Sequence, residues 1–430
     1  MWIFLFIIVP CYGYLNNWFP VVPISSSDFS NPKQIRILGK DFVLWKKNEQ
    51  FVFQDDVCPH RCAPLSEGYI DKESNNLRCA YHGWEFNQTG SCMVIPQMDD
   101  AQQQNHARTC VKTYDTCNYG DLLWVYLGDE VYKKNITEKY DLQETPVFMR
   151  ELPYGLYILL ENFFDPAHIP FAHHKLQSTR DCGSPINVEM LSKINNKDQF
   201  SILFDEKNAK DVSKSRKGIM NFEMPCHYFL TILRPALNML KGLHIFMVPI
   251  QEDKTRIFIK YKINEKSSIY KIFARIPIWL QHMFTNTFLD SDSLILHKQE
   301  QYLLAKNESY HFNKEYYMPT KSDSAISLYK KWVYKNMRSI PFFNKQRVTG
   351  ELTRSEILDR YTQHTKDCVH CRKAFRFGKK MRLWGTVLLG SGFVYTRKTV
   401  FLILGIMNYF CFQRFIEQFL YKDYVHNLIK

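Results

Sequence analysis

Two short motifs in the N-terminal third of the chain each pair a cysteine with a histidine. They are Cys58-Pro59-His60 and Cys79-Ala80-Tyr81-His82. Thiolates and neutral imidazoles bind zinc and also the irons of iron–sulfur clusters. Because both kinds of centre take four protein ligands, the two motifs together can complete one site. Cys58, His60, Cys79 and His82 are therefore candidate ligands of a single metal centre.

The arrangement of these ligands favours an iron–sulfur cluster over zinc. Zinc fingers usually pair Cys with Cys and His with His, each couple on its own element, whereas each motif here holds one of each. In a Rieske [2Fe–2S] cluster, two thiolates bind one iron and two imidazoles bind the other. We predict that Cys58 and Cys79 hold the inner iron and that His60 and His82 hold the outer iron. Zinc remains the alternative.

A second group of candidate ligands lies in the segment from Glu161 to His173, which contains His168 and His173. On a straight helix, two residues five positions apart point about 140° away from each other. Pro170 lies between them and could kink or end the helix, which would let both imidazoles point to one site. The alternative is an ordinary helix start, with Asp165 as its N-cap and two histidines that share no function.

A third ligand must come from elsewhere in the chain. A mononuclear iron that activates O₂ is typically held by two histidines and one carboxylate. Residues 288–300 have helical propensity, with leucines at heptad spacing, and they contain two aspartates. We predict Asp292 as the ligand and keep Asp290 in reserve, so replacing Asp290 is expected to have little effect. Two aspartates on a surface helix would otherwise be merely solvated.

The elements that would position these residues follow from local patterns. Residues 34–45, with a turn at Gly39-Lys40, and residues 121–127 predict strands of a small β domain. The run 152–162 predicts a helix that leads into the histidine segment. Residues 200–204 and 243–262, interrupted at 252–254, predict strands of an antiparallel sheet.

The order of these motifs resembles that of the Rieske non-haem iron oxygenases. A Rieske site is followed by Asn-x-x-Asp-x-x-His-x-x-x-x-His and then by a late Asp. Further matches resemble the pheophorbide a oxygenase group, and they are Trp18-Phe19-Pro20-Val21, Ala63-Pro64-Leu65-Ser66-Glu67-Gly68 and Ile95-Pro96-Gln97. The resemblance extends from Trp18 to Arg372. Ser291 departs from the group's pattern, in which a glutamine precedes the late aspartate.

Cys62 and the pair Cys368-Val369-His370-Cys371 refine this resemblance. Rieske proteins of respiratory complexes carry a disulfide between their two ligand loops, but Tyr81 stands where the partner of Cys62 would be. We therefore expect Cys62 to be a small packed residue. The C-terminal Cys-x-x-Cys matches the pheophorbide a oxygenase group, whereas chlorophyllide a oxygenases lack it. Cys368 and Cys371 are compatible with a dithiol switch, with half of a metal site or with chance. We favour a redox-active dithiol over zinc, because the sequence shows no second pair of zinc ligands.

The resemblance implies an α+β fold, in which a β-rich Rieske [2Fe–2S] domain precedes a helix-grip catalytic domain and a C-terminal membrane-associated segment. It implies a ferredoxin- and O₂-dependent monooxygenase with a mononuclear Fe(II), acting on a chlorophyll-derived tetrapyrrole such as pheophorbide a. In this family the cluster of one subunit serves the iron of its neighbour, which implies a homotrimer with Asp165 as the electron bridge. The alternatives are a chlorophyllide a oxygenase-like or hydroxylating enzyme, a sterol-directed oxygenase, and a redox-sensing component of a plastid import complex.

Composition and charge are consistent with that interpretation. A chain of 430 residues with 45% apolar residues is long enough for two or three domains. Its net charge of +13 is dispersed, and the sequence holds no recognisable nucleic-acid module, so an acidic partner such as ferredoxin, or an acidic membrane, is favoured over nucleic acid. Twelve cysteines scattered over this length do not form a disulfide scaffold.

The two ends of the chain carry apolar runs. Residues 383–395 and 400–412 are each too short for an ordinary spanning helix and are flanked by basic residues, which predicts attachment to a membrane. The resemblance to the pheophorbide a oxygenase group implies that this is a plastid membrane, thylakoid or inner envelope. A hairpin, an embedded amphipathic segment and one poorly apolar spanning helix all remain open for these runs.

The predicted divisions are an apolar leader at 1–16, a Rieske domain at 17–130, a catalytic domain at 131–360, a Cys-x-x-Cys basic segment at 361–380, a membrane-associated segment at 381–415 and a tail at 416–430.

Overall fold

The N-terminal region is built from short antiparallel strands that form three sheets. The computed structural model describes residues 14–98, 106–207, 215–233, 240–267, 271–272, 274–306, 316–337, 340 and 350–426, so nearly all of the predicted leader at 1–16 lies outside the described residues. The strands are β1 Trp18–Pro23, β2 Lys33–Ile37, β3 Lys40–Lys47, β4 Gln50–Asp55, β5 Tyr69–Ile70, β6 Leu77–Arg78, β7 Glu85–Phe86, β8 Cys92–Val94, β9 Thr113–Tyr114, β10 Thr116–Tyr119 and β11 Leu122–Tyr126. Their sheet orders are β1-β11-β10, β2-β3-β4-β9 and β5-β6-β7-β8.

Two of the predicted N-terminal elements are confirmed. The β2–β3 hairpin turns at Leu38 and Gly39, whose φ angles of 54° and 76° suit a tight two-residue hairpin turn. Strand β11 is buried along its whole length because it pairs with β1 on one side and β10 on the other. The strand expected at 121–127 is therefore the central strand of its sheet.

The second region is organised around a seven-stranded antiparallel sheet. Its strands are β12 Phe148–Leu152, β13 Ile186–Met190, β14 Gln199–Glu206, β15 Arg216–Glu223, β16 His227–Ile232, β17 Leu240–Gln251 and β18 Lys254–Ile263, in the order β12-β18-β17-β16-β15-β14-β13. The strands predicted at 200–204 and 243–262 belong to this sheet, and the chain reverses at Glu252 and Asp253 as expected.

The helices lie over that sheet and beyond it. They are α1 Ile136–Lys139, α2 Leu156–Phe163, α3 Ile169–Ala172, α4 Ile278–Ala305, α5 Ser324–Asn336, α6 Arg354–Ile357, α7 Val369–Thr396 and α8 Thr399–Leu420. The combination of a β-rich first region with a helix-covered antiparallel sheet confirms the predicted α+β class. The predicted boundaries at 130 and 360 stay predictions.

Helix α4 is the element that connects the others. Its heptad residues Leu289, Leu296 and Leu303 are buried in the main core, as the periodicity predicted. The helix contacts both α2 and β12. Near its C-terminal end, the Glu300 carboxylate accepts the backbone N–H of Gly155, the N-cap of α2, at 2.9 Å. These contacts fix the position of α4 relative to the helix that precedes the histidine segment.

The C-terminal region forms a helical hairpin. Helices α7 and α8 pack against each other and are joined at Arg397, which adopts a left-handed conformation with φ 56°. Both predicted apolar runs lie within these helices, but α7 begins at Val369, well before its apolar run. Helix α8 is the one helix in the described part of the chain that is long and apolar enough to cross a membrane.

A buried ion cluster holds α4 against β12 and the C-terminal region. The Asp290 carboxylate lies 2.7 Å from Nη1 of Arg150, on β12, and 2.6 Å from Nη2 of Arg360. The same arginines bind further groups, since Arg150 donates to the Gln363 side chain and Arg360 donates to the carbonyl of Gln418 in α8. Asp290 therefore pairs with two buried guanidinium groups at once.

The expected small effect of replacing Asp290 concerned iron binding and stays a prediction, but the ion cluster adds an expected loss of stability. Asp290→Asn should lower the free energy of unfolding by roughly 3–5 kcal/mol, because two buried charges would lose their partner. Chemical denaturation of the purified protein measures this change. Asp141→Asn is the control, because Asp141 forms an exposed ion pair with Lys262 and should change stability by less than about 1 kcal/mol. Equal effects of the two variants would contradict the role of the cluster.

Candidate metal centres

The first centre is formed by two loops of similar shape. The loop with Cys58 and His60 lies between β4 and β5, and the loop with Cys79 and His82 lies between β6 and β7. In each loop the cysteine carbonyl accepts the N–H of the residue four positions later. These bonds are Cys62 N–H to Cys58 at 2.9 Å and Gly83 N–H to Cys79 at 3.0 Å.

Both loops need a left-handed residue at that fourth position. Cys62 has φ 58° and Gly83 has φ 78°. Cys62 is exposed rather than packed, which corrects the sequence expectation. Its position is explained by the turn and not by burial.

The two kinds of candidate ligand differ in their burial. Cys58 and Cys79 are each 2% exposed and belong to a separate small core with Trp45 and Phe86. His60 is exposed and His82 is half-buried, and their ring centroids are 4.5 Å apart. Two inner thiols and two outer imidazoles suit a [2Fe–2S] cluster whose histidine-bound iron faces outward.

Aromatic and backbone contacts position the imidazoles. The Trp84 ring stacks on His60 at 4.8 Å with an interplanar angle of 4°. The Gln97 side chain donates to the backbone carbonyl of His82 at 3.0 Å. Burial, together with the neighbouring Cys79 thiol, raises the pKa of Cys58 to about 12, so a bound metal must displace a proton there.

The second centre brings together His168, His173 and Asp292. The two Nε2 atoms are 3.2 Å apart. Oδ2 of Asp292 lies 3.3 Å from Nε2 of His173 and 3.9 Å from Nε2 of His168. Bonds of about 2.1 Å at right angles place neighbouring ligand atoms about 3 Å apart, so the three side chains have room for one ion on their common face.

The histidines converge for a reason that differs from the predicted kink. Helix α2 ends at Phe163, and His168 and His173 are the residues that flank α3, which has only four residues. Pro170 lies inside that single turn. The two imidazoles approach each other across the turn, so a bent long helix is not required.

Hydrogen bonds fix the orientation of both imidazoles. Nδ1 of His168 is 2.5 Å from the backbone carbonyl of Asp165, so this nitrogen carries the proton and Nε2 is left free. Nδ1 of His173 lies 2.7 Å from Oγ of Ser291, and that hydroxyl donates to the Phe288 carbonyl at 2.6 Å. Ser291, which departs from the family pattern, therefore accepts a hydrogen bond from Nδ1–H of His173. This bond directs Nε2 of His173 toward Asp292.

Asp290 and Asp292 point in different directions. They are two residues apart on α4, which separates them by about 200° around the helix. The ion cluster occupies Asp290, whereas Asp292 faces the histidines. The structure therefore groups Asp292, and not the reserve candidate Asp290, with His168 and His173.

Asp165 lies beside this centre without entering it. Its Oδ1 accepts the N–H of Ala167 at 2.8 Å, and its Oδ2 is 3.9 Å from Nδ1 of His168. The side chain is 34% exposed. The carboxylate thus stabilises the local turn and also presents an oxygen toward solvent.

The C-terminal tail, which no sequence pattern predicted to be near the site, returns to this centre through Tyr424 and His426. Arg180 donates to the carbonyl of His426 at 2.8 Å, and the Tyr424 hydroxyl donates to the Ala172 carbonyl at 3.5 Å. Burial lowers the pKa of His426, against the opposing effect of the nearby Asp292 carboxylate. Because these residues have no motif of their own, local sequence offers no signal for them.

Cys368 and Cys371 are also brought together with other residues. Both are buried near the start of α7, and both thiols lie next to His282. They are far in sequence from the two centres described above, and they belong to a third small core.

Comparisons with known proteins agree with this geometry. Residues 17–115 match the family described as the Rieske [2Fe-2S] domain, and residues 222–309 match the family described as pheophorbide a oxygenase. The second match contains all of α4 and therefore Asp292.

Full-length relatives extend the match over most of the chain. The chloroplastic pheophorbide a oxygenase of Oryza sativa subsp. japonica is 31% identical over 84% of this chain and 73% of its own length. The chloroplastic protochlorophyllide-dependent translocon component 52 of Arabidopsis thaliana is 29% identical over 85% of this chain and 74% of its own length. The crystal structure of dicamba monooxygenase bound to dicamba has a TM-score of 0.56 at 16% identity, covering 75% of this chain and 97% of that chain, which shows the same fold. The chain belongs to the Rieske non-haem iron oxygenases, in the group that includes pheophorbide a oxygenase.

Proposed function

We propose that this chain is an oxygenase of the plastid that acts on a chlorophyll-derived tetrapyrrole, with pheophorbide a as the first candidate substrate. The observation that carries this proposal is the convergence of His168, His173 and Asp292 on one point. Support for the substrate class comes from the family match at residues 222–309 and from the chloroplastic relatives.

We assign the ligands as the sequence predicted them. Cys58, Cys79, His60 and His82 would hold the [2Fe–2S] cluster, and His168, His173 and Asp292 would hold a mononuclear iron. Iron at the second site would supply the activation of O₂, because two histidines and one carboxylate leave positions open. Burial of His173 and Asp292 excludes water from one side of that site.

The two centres would be linked between subunits of a homotrimer. His60 is exposed and the carboxylate of Asp165 is partly exposed, which supports an approach of the cluster of one copy to the iron site of another. In that arrangement Asp165 would accept imidazole N–H groups from both sides. A ferredoxin-type donor fits the net charge of +13, because such donors are acidic.

The C-terminal hairpin would attach the protein to the thylakoid or inner envelope membrane. Apolar side chains of α7 and α8 are exposed over the second half of α7 and the first half of α8, for example Trp384, Leu388, Ile403 and Phe410. A contiguous apolar surface of this kind favours contact with lipid. Lys379, Lys380 and Arg382 precede it, as expected near an acidic membrane surface.

The alternative of a redox-sensing import component is less well supported. Such a protein would need the cluster but would not need a second iron site. The complete set of His168, His173 and Asp292 therefore favours an oxygenase. The match to a translocon component keeps this alternative as an outcome of the assay below.

The substrate assignment is tested with purified protein, reduced ferredoxin and ¹⁸O₂. We expect pheophorbide a to gain labelled oxygen, read by mass spectrometry, while chlorophyllide a and protochlorophyllide serve as competing substrates. Asp292→Ala is the control for uncoupled oxidation. Labelling of another pigment would correct the substrate, and no labelling by protein that carries both iron centres would contradict the proposed oxygenase.

The iron ligands are tested by metal content and spectroscopy. Asp292→Ala should lower the iron content from about three to about two per chain while the EPR signal of the reduced cluster stays unchanged. Ser291→Ala should weaken binding of the mononuclear iron by about 10- to 100-fold, because His173 would lose the acceptor of its Nδ1 proton.

Ser293→Ala is the matched control for Ser291. Ser293 is buried on the same helix, and its hydroxyl donates to the carbonyl of Leu289. The Ser293→Ala variant should leave binding of the mononuclear iron unchanged. If Ser291→Ala and Ser293→Ala behaved alike, orientation of His173 by Ser291 would be refuted. Full retention of iron in Asp292→Ala would remove Asp292 from the ligand set.

The bridge is tested with Asp165→Asn. Asparagine can still accept the Ala167 N–H, so folding and the iron content should be unchanged. An amide accepts hydrogen bonds less strongly than a carboxylate, so reoxidation of the pre-reduced cluster should slow by about 10- to 100-fold in a single turnover with substrate and O₂. Reoxidation at the wild-type rate would leave Asp165 with only its local turn-stabilising role.

A further inference from the structure

Four buried side chains outside both iron centres point their donor atoms at one another. His282 lies in the first turns of α4, and His364 lies in a π-helical turn at Tyr361–Thr365. Cys368 is the N-cap of α7, and Cys371 follows in its first turn. Each of the four residues is at most 5% exposed.

The distances between these donors match a single tetrahedral ion. Nδ1 of His282 lies 3.5 Å from Sγ of Cys368 and 3.6 Å from Sγ of Cys371. Nε2 of His364 lies 3.2 Å from Sγ of Cys371, and all four donor atoms lie within 4.8 Å of one another. Zinc bonds of about 2.3 Å to sulfur and about 2.0–2.1 Å to nitrogen place a tetrahedral S···N pair about 3.5 Å apart.

Surrounding groups orient the ligands for metal binding. Nδ1 of His364 is 2.6 Å from the backbone carbonyl of Met149, on β12. A carbonyl only accepts, so Nδ1 carries the proton and the lone pair of Nε2 faces the two thiols. Histidines that bind metals are usually held in this way by their other ring nitrogen.

We infer that His282, His364, Cys368 and Cys371 form a structural zinc site. Two Cys and two His occupy all four tetrahedral positions, which is typical of structural and not catalytic zinc. A [2Fe–2S] cluster is a poorer fit, because the two ligand pairs bind different irons and must lie farther apart. Among the described residues, the predicted Rieske ligands do not form so compact a group.

A redox dithiol, as the sequence predicted, would account for only half of this arrangement. It would require Cys368 and Cys371, and one neighbouring imidazole could activate a thiolate, but it would give no reason for a second imidazole to face them. Both thiols are also shielded from solvent, with Cys371 only 1% exposed, whereas exchange with an external thiol requires access. The dithiol is therefore an outcome of the test below.

The site would link the C-terminal hairpin to the catalytic domain. One ligand lies on α4, and the other three lie in the π-helical turn before α7 and at the start of α7. The hydrogen bond from His364 to Met149 adds a contact to β12. The apolar core at this junction is small, formed by Cys368, Cys371, Ala374, Phe375, Ile416 and Phe419 with Trp279 packed against it. A metal crosslink would stabilise a junction that buries so few apolar side chains.

Metal analysis of the full-length protein, purified with both iron centres loaded, tests the inference. We expect about one zinc per chain in addition to the iron, and zinc K-edge X-ray absorption should show two sulfur neighbours at about 2.3 Å and two nitrogen neighbours at about 2.0–2.1 Å. Cys371→Ala should lose the zinc. Cys226→Ala, which alters a buried cysteine outside the group, should keep it.

Three results would overturn the inference. They are wild-type protein without zinc, zinc retained by Cys371→Ala, and an intact mass about 2 Da below the reduced value with a disulfide mapped to Cys368 and Cys371. If Cys371→Ala fails to fold, the sulfur and nitrogen neighbours of zinc in the wild-type protein decide the question alone. Because the iron content is measured in the same samples, loss of this site is distinguishable from failure of the proposed oxygenase centres.

Discussion

The arrangement of the catalytic region depends on the buried carboxylate of Asp290. A carboxylate and two guanidinium groups lose their hydration when they are buried, and only close, hydrogen-bonded pairing offsets that cost. Arg150 and Arg360 provide this pairing from β12 and from the C-terminal region. The pairing fixes the rotation of α4 about its axis. With that rotation set, the next two residues have defined directions, so Ser291 faces His173 and Asp292 faces the histidine pair.

The two candidate iron centres differ in which of their ligands are exposed to solvent. In the N-terminal region the cysteines are buried and the histidines face outward, which places the histidine side at the surface. In the catalytic region His173 and Asp292 are buried, and His168 with Asp165 forms the more accessible side. Electron transfer between copies, as proposed, would need the two centres to meet at accessible edges. The burial pattern of the ligands is compatible with that requirement.

The sequence was sufficient for features that are encoded locally. The four predicted Rieske ligands lie in two short motifs, and His168 and His173 lie on either side of one turn, so spacing alone was enough to mark them as candidates. The choice of Asp292 over Asp290 depended on the family pattern, because helical periodicity gives the angle between two residues but not the side on which the partners lie. The sequence could not find His282 as a neighbour of Cys368, since 86 residues separate them and the fold alone brings them together. Cys62 was misjudged because a left-handed turn, and not packing, determines its position.

The C-terminal region connects these observations. Arg360, which pairs with Asp290, precedes His364, Cys368 and Cys371 by only a few residues, so the ion cluster and the inferred zinc ligands hold the same short segment. Beyond it the hairpin extends and then returns, and the tail lies beside the iron site, where Tyr424 bonds to the Ala172 carbonyl and His426 lies near Asp292. If the hairpin is held in lipid, as proposed, its movements act on the rest of the chain through its base. The ion cluster and the inferred zinc both lie at that base, where they would limit the effect of such movements on the position of Asp292.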